Sequence, residues 1–98
     1  MLTSKQRSFL SNLAADAEPT VMVGKGGVSD AVAAKLSAEL EHHELVKLRF
    51  VASKEERKEL ASALASSVGA ELVRVIGNVA VFYRRASDPV KRTVQLPE

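Results

Sequence analysis

The sequence predicts an α/β sandwich with element order α-β-α-β-α-β-β, a four-stranded mixed sheet packed with helices on at least one face. Three observations carry this. Apolar residues recur at helical spacing in three segments and are β-branched or alternating in four short ones. Two of the helical segments fall between strands, where they can serve as crossovers and make the first and second, and the second and third, strands parallel. The pair Gly77-Asn78 separates two β-branched runs, which suggests a two-residue hairpin with glycine first.

The first helix is read from "LTSKQRSFLSNLAADAEP". Thr3 with Gln6 forms a capping-box pattern, and Phe9, Leu10, Leu13, Ala14 and Ala17 recur as an apolar stripe. Pro19 stops it. Lys5 and Arg7 fall on the polar side. "TVMV", residues 20 to 23, has the composition of a short buried strand. After the glycine-rich stretch, Ser29 is a plausible N-cap with Asp30 in the first turn, and Val32, Ala33, Leu36 and Leu40 form the stripe of a second helix that ends near "EHHE".

"LVKLRFVA", residues 45 to 52, alternates, with Val46, Leu48, Phe50 and Ala52 on a buried face and Leu45, Lys47, Arg49 and Val51 on a mixed, basic one. In "SKEERKELASALASSVG", Ser53 with Glu56 makes a capping box and Leu60, Ala61, Leu64, Ala65 and Val68 the apolar stripe, with Gly69 as the stop. "ELVRVI" and "VAVFYR" are the last two strands. One domain over residues 1–85 is expected, with residues 86–98 an extended or partly ordered basic tail.

Bulk properties exclude several functions. With 98 residues there is room for one core. The net charge of +2 permits a polyanionic partner without requiring one. The absence of cysteine excludes disulfides and thiolate chemistry, and no apolar run approaches a membrane span. The N-terminus lacks a signal-peptide core, so a cytoplasmic monomer with no membrane association is expected. His42 and His43 are adjacent on a helix and cannot share a metal as an i, i+4 pair does. Glu41 and Glu44 read as solvated charges, so no metal, cofactor or catalytic residue is expected.

The chemistry concentrates in "VMVGKGGVSD". Gly24, Lys25, Gly26 and Gly27 give a G-x-x-G spacing just before a helix N-terminus, where free amides and the helix dipole suit a phosphate. A Walker loop would need glycine at Pro19 and Ser or Thr at Gly26, and a dinucleotide fingerprint would need glycine at Ser29; both fail. Spacing alone leaves open a backbone clamp of the KH type and a plain turn that needs positive φ. Basic residues Lys5, Arg7, Arg84, Arg85, Lys91 and Arg92 are expected to surround the loop end and tail. If the hairpin register puts Arg74 and Arg84 on the face of Lys47 and Arg49, the open side of the sheet is basic too. With Phe9 and Phe50 read as core, no multi-aromatic stacking platform is left, and phosphate contacts are the more economical mode.

"VMVGKGGVSDAV", "LEHHELVKLRF" and "VIGNVAVFYRR", in that order, resemble the signature segments of the CRM domain, in particular its stand-alone bacterial form, the YhbY-type RNA-binding proteins. The opening "LTSKQRSFLSNLA" and closing "VQLP" extend the resemblance over nearly the whole chain. It implies a fold similar to the C-terminal domain of bacterial translation initiation factor three and a G-x-x-G loop that contacts RNA backbone. The implied partner is rRNA in precursors of the large ribosomal subunit, and the implied role is ribosome assembly. Carried over, the loop is Gly24, Lys25, Gly26 and Gly27, with phosphates on the amides of Gly26 and Gly27, on Lys25 and on the Ser29 hydroxyl. Asn78 departs from the basic residue often found after the hairpin glycine. The competing expectations are a protein-interaction adaptor using the acidic faces of Glu39, Glu41, Glu55 and Glu59, and a splicing or chaperone-type accessory factor.

Overall fold

The computed structural model describes residues 2–24, 27–51 and 56–98. Its elements are α1 (Ser4–Ala14), β1 (Val21–Val23), α2 (Asp30–His43), β2 (Leu45–Phe50), α3 (Arg57–Val68), β3 (Glu71–Ile76) and β4 (Val79–Tyr83), followed by a short 3-10 turn, Pro89–Lys91. The sheet order is β1-β2-β4-β3. β1 is parallel to β2, whereas β4 is antiparallel to both β2 and β3. The expected mixed sheet is therefore present. β2 and β3 do run parallel, but β4 lies between them, so they never share a ladder.

Helices cover both faces. On one, α2 and α3 bury Leu36, Leu40, Ala61, Leu64 and Ala65 against Val21, Val23, Val46, Leu48, Phe50, Ala80 and Phe82. On the other, Leu10 and Ala14 of α1 pack on Val73, Val81 and Tyr83, joined by Leu2, Leu45, Val94 and Leu96. Burying each large side chain contributes roughly 1.5–3 kcal/mol, so the fully buried Leu36, Leu40, Leu48, Phe50, Leu64 and Phe82 make the first face the stronger half of the core.

Local signals explain most boundaries. Thr3 Oγ1 accepts from Gln6 N at 3.1 Å and Gln6 Oε1 accepts from Thr3 N at 3.0 Å, the reciprocal capping box. Gly69 ends α3 at φ +66, and Gly77 opens the β3–β4 hairpin at φ +55.

Three expectations change. α1 ends at Ala14, well before Pro19, and the Ala17 carbonyl beyond it accepts from Lys47 Nζ at 3.0 Å. Its stripe is narrower than expected, with Leu10 and Ala14 buried but Leu13 half exposed. α3 begins at Arg57: Glu56 sits at φ +62, which interrupts a right-handed helix, and its side chain makes no cap bond. Ser53 of the expected capping box lies outside the described residues, as does Ala52. The tail, finally, is laid against the body: Val94 and Leu96 pack on the α1-side cluster, and Gln6 Nε2 donates to Pro97 O at 2.9 Å.

Candidate nucleic-acid interface

The glycine stretch begins where β1 ends. Gly27 N–H donates to Gly24 O at 3.0 Å, closing a four-residue turn, and Gly27 holds φ +70. A side chain at Gly24 or Gly27 would meet nothing within 4 Å, so the backbone at these two residues is open rather than packed. Lys25 and Gly26 lie outside the described residues. Of the two amides expected to hold phosphate, that of Gly27 is already spent inside the turn. Ser29 is the N-cap of α2, its Oγ accepting from Val32 N at 3.3 Å, which leaves the hydroxyl hydrogen free to donate. The Asp30 carboxylate in the same first turn stabilises the helix dipole and opposes an incoming anion.

Strand direction determines what surrounds this turn. Val51 N donates to Val23 O and Phe50 N to Asn78 O, both at 2.8 Å. The ends of β1 and β2 and the β3–β4 hairpin therefore meet at one end of the sheet. α2 and α3 start from the same end, and Arg57 Nη1 donates to Gly77 O at 3.0 Å, tying the start of α3 to the hairpin. Two helix N-termini thus converge outside the carboxyl ends of two parallel strands, where open α/β sheets place their ligands.

The α1-side face of the sheet adds charge. Lys47, Val81 and Arg74 form one row across three strands, and Met22, Arg49, Val79 and Ile76 form the next, nearer the glycine turn. α1 covers only the first row in part, so Met22 and Ile76 are 51% and 52% exposed. Arg49 and Arg74 are exposed and make no hydrogen bond or ion pair to another described residue. A register shift between Leu72 and Arg74 puts Val73 and Arg74 on this same face. Simple alternation would have separated them. The conditional expectation of a basic sheet face therefore holds for Lys47, Arg49 and Arg74.

Arg84 lies on the other side. Its guanidinium donates to Ser37 Oγ at 2.9 Å, Ser37 O at 2.7 Å and Val68 O at 2.8 Å, fastening α2 to the end of α3. Arg7 Nη1 donates to Leu72 O and Val73 O, at 2.6 and 3.1 Å, and Arg92 Nε donates to Ala86 O at 2.9 Å. Lys5, Arg85 and Lys91 lie in the same region, at the beginning of α1 and beyond the end of β4. This is the sheet end opposite the glycine turn, ~20 Å away for strands of six residues. The basic residues expected to form one surface are thus divided between two ends.

The far end is built on two carboxylates that were expected to be solvated. Glu44 is fully buried, at φ +63, where α2 turns into β2. Its Oε1 accepts from Thr93 N at 2.7 Å and Val94 N at 2.9 Å, and its Oε2 from Ala86 N at 2.8 Å. Burial pushes its pKa up, but these amides and Arg92 outweigh that and hold it below the usual carboxylate value. Glu41 accepts from Ser87 N, Ser87 Oγ and Asp88 N. The Ser87 amide and hydroxyl lead in lowering its pKa to about 2, helped by Asp88 N and Lys91. With Glu41 so engaged and Glu39 3.5 Å from His43, the acidic face expected of an adaptor is partly consumed within the fold. Among the described residues no group of three potential metal ligands occurs, and no helix is long and apolar enough to cross a membrane.

A match to the CRS1/YhbY (CRM) domain spans residues 2–84. The chain belongs to the CRM family. Its relatives agree along their length. A Bacillus subtilis protein, YqeI, named as a probable RNA-binding protein, is 37% identical over 98 residues, covering 99% of this chain and 100% of its own. A Haemophilus influenzae protein named as an RNA-binding protein is 35% identical over 97 residues, covering 98% of this chain and 95% of its own. Among solved structures, a Staphylococcus aureus protein described as a candidate RNA binder superposes with a TM-score of 0.84 at 35% identity, covering 99% of this chain and 100% of its own. The mixed sheet with helices on both faces is therefore the CRM fold.

Proposed function

We propose that this CRM protein binds RNA through the glycine-turn end of its sheet, and that its target is rRNA in precursors of the large ribosomal subunit. It acts there as a non-catalytic, cytoplasmic, monomeric assembly factor. One observation carries the contact: the glycine turn and two helix N-termini lie at one end of the fold, with Arg49 beside them and the Lys47–Arg74 row continuing the basic face away from that end. Backbone amides and cations in that arrangement suit phosphates, whose neutralisation releases counterions and makes affinity fall with salt. Lys25 supplies the loop's own charge. The RNA-binding names of full-length relatives support the same reading. The ribosomal target follows from the resemblance of the three signature segments.

Replacing Lys25 and Gly26 together by Asp is expected to abolish binding to large-subunit rRNA fragments while leaving thermal unfolding unchanged. Unaltered affinity with an unaltered salt slope would remove the turn from the interface. Crosslinking the tagged protein to RNA in cells and sequencing what is attached tests the target separately; absence of large-subunit precursor sequences would exclude it.

A further inference from the structure

Between the last turn of α1 and the exposed part of the sheet lies a groove of about 400 Å³. Ala14, Ile76, Val79 and Val81 form its apolar floor, and Asn12, Lys47 and Arg74 stand at its rim. Among the described residues no carboxylate lines it. The floor is an uncovered piece of sheet, since α1 stops at Ala14 and leaves Ile76 half exposed. An apolar slot with a cationic rim is poorly matched to a basic or a purely apolar protein surface. It matches a ligand that alternates flat apolar faces with negative charges.

We propose that this groove receives an unpaired nucleobase of an RNA strand whose backbone passes the glycine turn, with Arg74 and Lys47 on the flanking phosphates and the Asn12 side-chain amide on the base edge. The inference rests on the RNA-binding reading above and deepens it by naming single-stranded RNA as the substrate class. Continuity supports it. The row Met22–Arg49–Val79–Ile76 leads from β1, which runs into the turn, across to the groove, a span of ~14 Å at the usual strand spacing. On that path exposed Arg49 lies in register between Met22 and Val79, and its guanidinium offers a plane on which a base can stack. A groove of this size accepts one base and excludes a paired helix, so the face discriminates against duplex RNA without any aromatic residue. Asn12 is exposed on α1, and its side chain makes no hydrogen bond to another described residue, so its donor and acceptor are both available to a base.

The test is an NMR titration of the full chain with a short oligouridylate and, in parallel, with a fully paired RNA of the same length. Shifts at the Ile76 and Val79 methyls and the Asn12 side-chain amide are expected with the single strand and not with the duplex. Asn12→Leu, which leaves the charge untouched, should weaken single-strand binding about tenfold, the usual scale for one base-edge contact. It should leave duplex binding as it was. If Gly24 and Gly27 amides shift while the groove methyls stay still, the groove proposal fails and the turn-based reading stands. If neither set moves, the RNA-binding reading itself fails. Groove shifts that follow protein concentration without RNA would assign the face to a second copy of the chain and overturn the proposal.

Discussion

Glu44 ties residues 86–98 to the end of α2. Its two carboxylate oxygens accept three backbone N–H groups, from Ala86, Thr93 and Val94, in a fully buried position. Hydrogen bonds to a charged group contribute about 1.5–3 kcal/mol each. They do not add here, because once the carboxylate is gone residues 86–98 can lift away and rehydrate their amides. The loss is then bounded by what holds that segment down, and Glu44→Ala is expected to cost about 3 kcal/mol, in the range for breaking one side of a buried charged contact. Glu44→Gln retains an acceptor for Thr93 and Val94 but turns an NH2 group toward the Ala86 N–H, so about 2 kcal/mol is expected for one orphaned amide and lost charge. Urea denaturation measures both, and hydrogen exchange locates the damage at Ala86, Thr93 and Val94. The pKa of Glu44 is lowered in the folded state, so its stabilisation is full above the ordinary carboxylate range and is lost as pH falls through the folded value. A Glu44→Ala protein that unfolds at the wild-type urea midpoint, with those three amides still protected, would refute the clamp.

Two further outcomes test the same end of the molecule. Glu41 should titrate near pH 2 instead of 4.5, so the anchoring of Ser87 and Asp88 persists above 4.5 and fades between 4.5 and 2; an NMR carboxyl titration with a midpoint near 4.5 would contradict its bonds to both. Arg84→Ala should lower stability by about 2 kcal/mol through the loss of its bonds to Ser37 and Val68, whereas exposed Arg85→Ala should stay within about 0.5 kcal/mol of wild type. Equal effects of the two arginine changes in thermal unfolding would show that Arg84 does not fasten the helices.

The periodicity of the chain revealed its elements and the hairpin because those signals are local: a capping box at Thr3, alternation through Leu45–Phe50, Gly77 between two β-branched runs. What it concealed is non-local. Nothing near Glu44 announces burial, since its three partners lie more than forty residues away. Arg84 and Arg7 look in sequence like surface cations, and only the packed neighbours that offer carbonyls convert them into fasteners. The face of Arg74 is set by the bulge at Val73, which resets the alternation that the sequence alone displays. The glycine turn was visible in its spacing, yet its company was not. Strand order decides that the hairpin and Arg49 sit beside it while Arg85 and Arg92 do not.

The bond between Gln6 and Pro97 has an architectural consequence. It holds the two extremities of the polypeptide together at the side of the body turned away from the glycine turn. A module whose way in and way out are neighbours can be spliced into a longer chain, or strung in series, without rerouting its interior. Every copy in such a string would keep its glycine turn on the side away from the connections, and the spacing between successive copies would be set by connecting segments alone.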